Sequence, residues 1–288
     1  MTRRVGLIGK PLKRRHSQVM HDAAFDAAGI DARYVLLELD PDAVPAAVAE
    51  ARSSDVWLGL GVTAPYKLVV AGLCDAIDDD AAAIGAVNNA VRTPDGRLVG
   101  FNTDAPGFQA GVERAMGRPL AGAEVVVVGA GGAAHAVVFA CLRAGAERVT
   151  VANRTVERAA ALVGRFTGVG AGARRAIGLD ASDRAFEAAL ATADLSVNAT
   201  TVGMVDPGAT IPVERLPDTA TVFDLVYVPA ETPLVAAARA RGLRAENGSE
   251  MLIAQAAIAF ERWTGVGGME DVMRDAVAPL FVEAGTAA

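Results

Sequence analysis

Four consecutive valines, Val125 to Val128, run directly into Gly129-Ala130-Gly131-Gly132-Ala133-Ala134. A short unbroken apolar run is the pattern of a parallel strand buried on both faces. The glycines behind it permit a turn too tight for side chains, and Ala133 to Ala144 then reads as a helix. Strand, glycine turn and helix in this order make the G-x-G-x-x-G/A unit of dinucleotide-binding folds. Gly129 and Gly131 would let the backbone approach a pyrophosphate, and Ala134 in third place would let helix and strand pack closely. Ala130, Gly132 and Ala133 complete the expected cofactor turn, at a helix N-terminus whose N–H groups and dipole attract anions. A glycine string alone carries little weight. Its flanking strand and helix, with a second strand at Arg148 to Ala152, give it much more.

That second strand ends in Asn153-Arg154-Thr155, with Arg158 one helical turn beyond Arg154. A site for NAD usually places a carboxylate here to accept the ribose 2′-hydroxyl, and a carboxylate repels a 2′-phosphate. Two forked guanidinium groups and a hydroxyl suit phosphate oxygens instead. Asn153, Arg154, Thr155 and Arg158 are therefore expected to bind the adenosine end of NADP in preference to NAD.

The rest of the chain supports an α/β protein of two domains, the better prior for 288 residues. Strands at Val5 to Ile8, Tyr34 to Leu39 and Trp57 to Val62 alternate with helices at Ser17 to Ala28, at Pro45 to Ala51 and from Pro65 onward. Ala86 to Val91 and Leu98 to Phe101 read as a hairpin around Pro94-Asp95-Gly96. After the glycine unit come a helix from Val156 to Phe166 and strands at Leu195 to Asn198 and Val222 to Leu225. Two helices, Met251 to Trp263 and Glu270 to Glu283, close the chain.

Composition excludes several classes of function. The formal charge of −7 argues against general affinity for nucleic acid or anionic membranes, because the one dense basic cluster, Lys13-Arg14-Arg15, is too small to track phosphates. Cys74 and Cys141 lie in no metal or redox spacing, and His16, His21 and His135 make no metal site by spacing, so no metal is expected. The longest apolar run, Val125 to Leu142, is interrupted by three glycines and a histidine and reads as strand, turn and helix. Nothing at the N-terminus reads as a signal peptide, so the expected compartment is the cytoplasm.

A third constellation lies in the first region. Thr63-Ala64-Pro65-Tyr66-Lys67 follows a strand, Asn88 and Asn89 follow Gly85-Ala86-Val87, and Asn102-Thr103-Asp104 closes the segment. Reduction of a ketone by hydride needs a proton donor at the developing alkoxide, and a carboxylate can hold that donor in place. Lys67 is one of only three lysines among 27 basic residues, and lysine can exchange a proton where arginine cannot. From the residues alone, Lys67 reads equally well as an exposed helix residue or as an acid/base group.

Together these pieces resemble the shikimate dehydrogenase family. Gly9-x-Pro11, Ser17, His21, Val62-Thr63-x-Pro65-Tyr66-Lys67, Gly85-Ala86-Val87-Asn88, Asn102-Thr103-Asp104 and the glycine unit recur there in this order and at similar spacings. So do Asn153-Arg154-Thr155, Asn198-Ala199-Thr200, Asp224-Leu225-Val226-Tyr227 with Thr232-Pro233-Leu234, and Gly248-x-x-Met251-Leu252-x-x-Gln255. The resemblance spans about residue 5 to residue 265. It implies a Rossmann-type NADP domain over residues 105–247, and an α/β substrate-binding and catalytic domain from residues 1–104 plus 248–288, with a cleft between them. It also implies reversible oxidation of shikimate to 3-dehydroshikimate, a step of aromatic amino acid biosynthesis, by a monomer or homodimer. Lys67 would be the acid/base residue and Asp104 its partner. Thr63, Asn88 and Gln255 would bond ring hydroxyls, while Ser17 and Tyr227 would meet the substrate carboxylate.

Two positions depart from the family pattern. Where the family has a Ser-x-Ser pair for the carboxylate, this chain has Arg15-His16-Ser17, and where it has asparagine two residues before Thr63, this chain has Gly61. Arg15 either offers the carboxylate a charged fork or points to solvent beside Arg14, and Gly61 is expected to open room beside the ring. The alternatives are therefore a paralogue acting on quinate, an aminoshikimate or another cyclic hydroxy acid. A nucleotide sensor without turnover is a further one, against which Lys67 and Asp104 speak.

Overall fold

The computed structural model describes residues 1–179, 184–204 and 208–283. The chain divides into two units. One is formed by Met1–Thr103 with Ile253–Leu280, the other by Asp104–Leu252 and the chain from Phe281.

In the first unit the strands and helices alternate: β1 (Arg3–Gly9), α1 (His16–Ala27), β2 (Ala32–Glu38), α2 (Val44–Ser53), β3 (Trp57–Val62), α3 (Lys67–Ala71), β4 (Ala76–Ile77), α4 (Asp79–Ile84), β5 (Asn89–Arg92) and β6 (Leu98–Phe101). They form one six-stranded sheet in the order β2-β1-β3-β5-β6-β4. β1, β2 and β3 are parallel, and β5 runs antiparallel to both β3 and β6. The expected hairpin is thus present, closed by the Thr93 N–H to the Arg97 carbonyl and by Gly96 at φ +83°. One face of the sheet carries Ile8, Leu60 and Val62 against Val44 and Val48 of α2 and Val70 of α3. β1 leads one way to β2 while β3 lies on its other side, so the carboxyl ends of β1 and β3 flank a point where strand order reverses. Such points open crevices for ligands.

The second unit begins with α5 (Asp104–Met116), followed by β7 (Glu124–Val128), α6 (Gly132–Arg143), β8 (Arg148–Asn153), α7 (Val156–Arg165), β9 (Ala173–Gly178), α8 (Arg184–Leu190), β10 (Leu195–Asn198), β11 (Thr221–Asp224), α9 (Pro233–Ala240) and β12 (Arg244–Asn247). Its six strands are all parallel, in the order β12-β11-β10-β7-β8-β9. This is the doubly wound dinucleotide-binding order, with β7 and β10 at its reversal point. The four valines of β7 are at most 2% exposed, and full burial contributes about 1.5–3 kcal/mol for each valine. α6 buries Ala134 and every residue from Ala136 to Leu142. α10 (Ser249–Thr264) and α11 (Glu270–Glu283) end the chain, and both pass from one unit to the other.

Candidate active site

In the second unit the glycine turn lies where the sequence puts it. Gly129 leaves β7 at φ +112°, and a Cβ there would stand 2.9 Å from Thr200 Cγ2 and 3.0 Å from the Ala199 carbonyl oxygen. Only glycine combines that φ with so close a neighbour. The Gly129 N–H donates to the Ala152 carbonyl at 2.8 Å, which ties the turn to the end of β8. Gly131, Gly132 and Ala133 are exposed, and nothing lies within 4 Å of where the Gly131 and Gly132 Cβ atoms would be. α6 opens on Gly131 with no side-chain cap and no acidic residue in its first turn. A helix start that offers its N–H groups outward is a site for a pyrophosphate.

At the end of β8, the Asn153 amide donates to the Thr155 carbonyl at 2.9 Å and holds the turn into α7. Arg154, Thr155 and Arg158 are exposed on it. Residues Gly129 to Ala133 and Asn153 to Arg158 therefore sit on adjacent parallel strand ends, and they fit a dinucleotide that carries a phosphate on its ribose.

The Asn198 and Asp224 motifs hold this end of the sheet together. The Asp224 carboxylate, fully buried, accepts from Asn198 Nδ2 at 2.8 Å, from the Val226 N–H at 3.0 Å and from the Thr232 hydroxyl at 2.7 Å. Asn198 in turn accepts from the N–H and hydroxyl of Thr200. Burial raises the Asp224 carboxyl above its usual range, and the three hydrogen bonds oppose that shift. Tyr227, which follows Val226 in this turn, is half-buried and meets the Phe281 ring edge-on at 6.1 Å.

In the first unit the polar residues converge at the carboxyl ends of β1 and β3. The Thr63 N–H donates to the Ile8 carbonyl at 2.9 Å, and the Thr63 carbonyl accepts from the Tyr66 N–H at 3.0 Å. Lys67 is the first residue of α3 and half-buried, and its carbonyl accepts from the Val87 N–H at 3.2 Å. The segment that carries Asn88 is thereby fastened to the lysine turn.

Asn88 and Asn89 are buried and both donate to the Thr103 hydroxyl, at 3.0 and 2.9 Å. Asn88 Oδ1 accepts from the Thr103 N–H and from Asn89 Nδ2. The Thr103 hydroxyl donates to Gln255 Oε1 at 3.2 Å. Two acceptances and one donation saturate that hydroxyl, so its role is to hold the amides of Asn88 and Gln255. Asp104, half-buried, directly follows Thr103 as the first residue of α5. Ser17, half-buried on α1, lies one turn before His21.

Arg15 is exposed, and its Nε donates to Gln18 Oε1 at 2.9 Å. Gly61 does not open room. A Cβ there would stand 2.5 Å from the Tyr34 hydroxyl and 3.3 Å from Leu7 Cδ1, so the space is filled. Sequence reasoning misses Tyr34 altogether, because a tyrosine in an alternating strand reads as core. Asn89 and Thr103 are visible only as neighbours of other motif residues.

Family models for the shikimate dehydrogenase substrate binding domain, for shikimate / quinate 5-dehydrogenase and for the shikimate 5′-dehydrogenase C-terminal domain match residues 7–90, 112–202 and 248–278. The chain belongs to the shikimate dehydrogenase family. Among curated members of the shikimate dehydrogenase family, the shikimate dehydrogenase (NADP(+)) of Geobacillus kaustophilus is 42% identical over 265 residues, 90% of this chain and 92% of that one. A solved structure of shikimate 5-dehydrogenase from Thermus thermophilus, in complex with NADP(H) and shikimate, superposes with a TM-score of 0.84 at 36% identity and covers 96% of this chain and 99% of its own. Quinate dehydrogenase from Corynebacterium glutamicum, in complex with NAD, gives 0.87 at 33% identity, covering 96% and 99%.

Among the described residues no helix is long and apolar enough to cross a membrane, and no group of histidine, cysteine and carboxylate side chains could hold a metal ion.

Proposed function

We propose that this chain is an NADP-dependent shikimate dehydrogenase, which reversibly oxidises shikimate to 3-dehydroshikimate. The observation that carries the reading is the polar floor of the first unit. Asn88 and Gln255, organised by Thr103, together with Thr63 at the end of β3, offer neutral donors and acceptors suited to a ring bearing several hydroxyls. The lysine turn is fastened to the same floor.

NADP, when bound, supplies the hydride acceptor. Gly129 to Ala133 would hold its pyrophosphate, and Asn153, Arg154, Thr155 and Arg158 its 2′-phosphate. Loss of hydride from a carbinol carbon must be matched by loss of the hydroxyl proton. Lys67 Nζ takes that proton in oxidation and returns it to the developing alkoxide in reduction, with Asp104 as its charge partner. Thr63, Asn88 and Gln255 bind ring hydroxyls, and Ser17 and Tyr227 bind the carboxylate. The assignment divides the chain into a substrate-binding domain of residues 1–104 plus 248–288 and a cofactor domain of residues 105–247. The enzyme acts in the cytoplasm as a monomer or homodimer and needs neither nucleic acid nor a membrane.

The departures from the family pattern at Arg15 and Gly61 motivate one alternative, a paralogue acting on quinate, an aminoshikimate or another cyclic hydroxy acid. Initial rates of reduced-cofactor formation with shikimate, quinate and aminoshikimate, each with NADP and with NAD, decide between them. The highest kcat/KM for shikimate with NADP is expected. A tenfold preference for another acid would establish the alternative, and no turnover with any of them would remove the reading.

A further inference from the structure

Strand β3 contains two glycines, Gly59 and Gly61, in a position where glycine weakens a sheet by leaving nothing to pack. Glycine inside a strand often marks the close approach of another group. Here both approaching groups are identifiable. A Cβ on Gly59 would lie 2.2 Å from the Ala90 carbonyl oxygen and 2.7 Å from the Trp263 indole nitrogen, which donates to that oxygen at 3.1 Å. A Cβ on Gly61 would lie 2.5 Å from the Tyr34 hydroxyl. Tyr34 belongs to β2 and pairs with Val5 of β1, whereas Gly61 pairs with Leu7 on the far side of β1. The phenol therefore reaches across β1 to set its oxygen against β3.

The sheet register shows where that oxygen lies. Gly61 is directly opposite Asn89 of β5, and residues directly opposite in an antiparallel pair face the same side. Asn89 is the residue whose amide bonds Asn88 and Thr103. The Tyr34 hydroxyl thus stands on the sheet face of the polar floor, one strand from it and two residues short of Thr63. The tyrosine is 3% exposed, and its ring is stacked on His21 at 4.5 Å and tilted against Trp263 at 6.1 Å. Its bonds to the side chains of Asp22 and Gln18 run through its backbone N–H and carbonyl and leave the phenol out. Burial raises the phenol well above its ordinary pKa, so the hydroxyl remains protonated across the working range and can donate.

We propose that Tyr34 is a specificity-determining residue of the substrate site, whose hydroxyl, seated in the space Gly61 leaves, hydrogen-bonds a ring hydroxyl of the substrate. The inference rests on the proposed function and deepens it. A group on the tip of a rigid, packed ring replaces the amide that a side chain at position 61 would have provided. The two positions then act as a pair, because the ring tip and a side chain on residue 61 exclude each other.

Tyr34→Phe deletes the oxygen and keeps the ring. It should raise KM for shikimate about 5–30-fold, the effect of one lost polar contact, with kcat changed less than about threefold and Tm unchanged. Shikimate analogues lacking one ring hydroxyl each then separate binding from packing. For the analogue without the hydroxyl that Tyr34 meets, the wild-type and Y34F enzymes should have equal KM, while the other analogues should keep the full ratio.

Adding Gly61→Asn should restore KM in the Y34F background, where the obstructing oxygen is gone, and should lower Tm in the wild-type background. Gly61→Ala, which displaces the hydroxyl without deleting it, gives a second reading should Y34F lower Tm. An unchanged KM for shikimate in both Y34F and G61A would overturn the inference and leave shikimate turnover by the wild type intact. So would a ratio equal for every analogue. Absence of wild-type turnover with any cyclic hydroxy acid would instead remove the functional reading, and the inference with it.

Discussion

His21 gives the sharpest test of how the first unit is held together. Its imidazole is 2% exposed, stacked on Tyr34 at 4.5 Å, with Trp263 at 5.1 Å and Phe260 at 6.4 Å. Among the described residues nothing bonds its Nδ1. Burial pushes it down to about 3, whereas an unfolded histidine titrates near ~6.5. The neutral form is the folded one, so its contribution is complete above the unfolded value and is lost as pH falls from there toward 3. Each pH unit in that window costs about 1.4 kcal/mol, so lowering pH from 7.5 to 5.0 removes about 2 kcal/mol. His16 and Asp22 on the same helix titrate as well, so the comparison must be with a variant that retains them. His21→Phe keeps a stacked ring and removes the titration, and any packing cost it carries is the same at both pH values. Urea unfolding at pH 7.5 and 5.0 should show wild type losing about 2 kcal/mol more than His21→Phe. Losses equal within about 0.5 kcal/mol would refute the argument.

Three further outcomes follow from the site. Arg154→Ala should raise KM for NADP about tenfold or more while KM for NAD stays nearly constant, since a charged hydrogen bond contributes about 1.5–3 kcal/mol; equal losses for both cofactors would assign the arginine another role. Lys67→Ala should lower kcat by roughly 10²–10⁴-fold with cofactor affinity retained in a fluorescence titration, and survival of more than about a tenth of kcat would refute the acid/base assignment. Asp224→Ala strands the Asn198 amide, the Val226 N–H and the Thr232 hydroxyl in a buried place and should cost about 2–4 kcal/mol in urea unfolding, with a loss under about 1 kcal/mol counting against the network.

How legibly the sequence announces each part depends on burial. The strand at Val125 to Val128 is plain because both its faces are covered and every residue has to be apolar. β9, with Arg174 and Arg175, and β12, Arg-Ala-Glu-Asn, escape a reading by pattern because they are the two edges of their sheet, where charged residues are tolerated and even protective. β4 is two residues long, too short for any period. α4 has a readable signal, Asp78 capping the Ala81 N–H at 2.8 Å, but its helix is a single short run after a loop. In the site, Lys67 and Asn88 are named only through the family resemblance, since from the residues alone Lys67 reads equally well as an exposed helix residue. The place of Tyr34 is not named at all, because it depends on register across three strands, and a side chain's reach over a neighbouring strand leaves no trace in local pattern.

The way α10 completes the first unit bears on the order of events during synthesis. All six strands of that sheet are synthesised by residue 101, yet the indole packed over Gly59 belongs to Trp263. Arg262, which pairs with Asp78 at 2.8 Å, and Gln255, which receives the Thr103 hydroxyl, arrive equally late. At translation rates of about 5–20 residues per second the intervening chain takes roughly 10–30 s to emerge. Throughout that interval the aromatic face made by His21, Phe25 and Tyr34 lacks its cover, while the second sheet can close from a nearly continuous stretch. The nascent first unit is thus an apolar surface awaiting its last helix. A chain interrupted before Gln255 would present that surface permanently, as a substrate for chaperones and proteases.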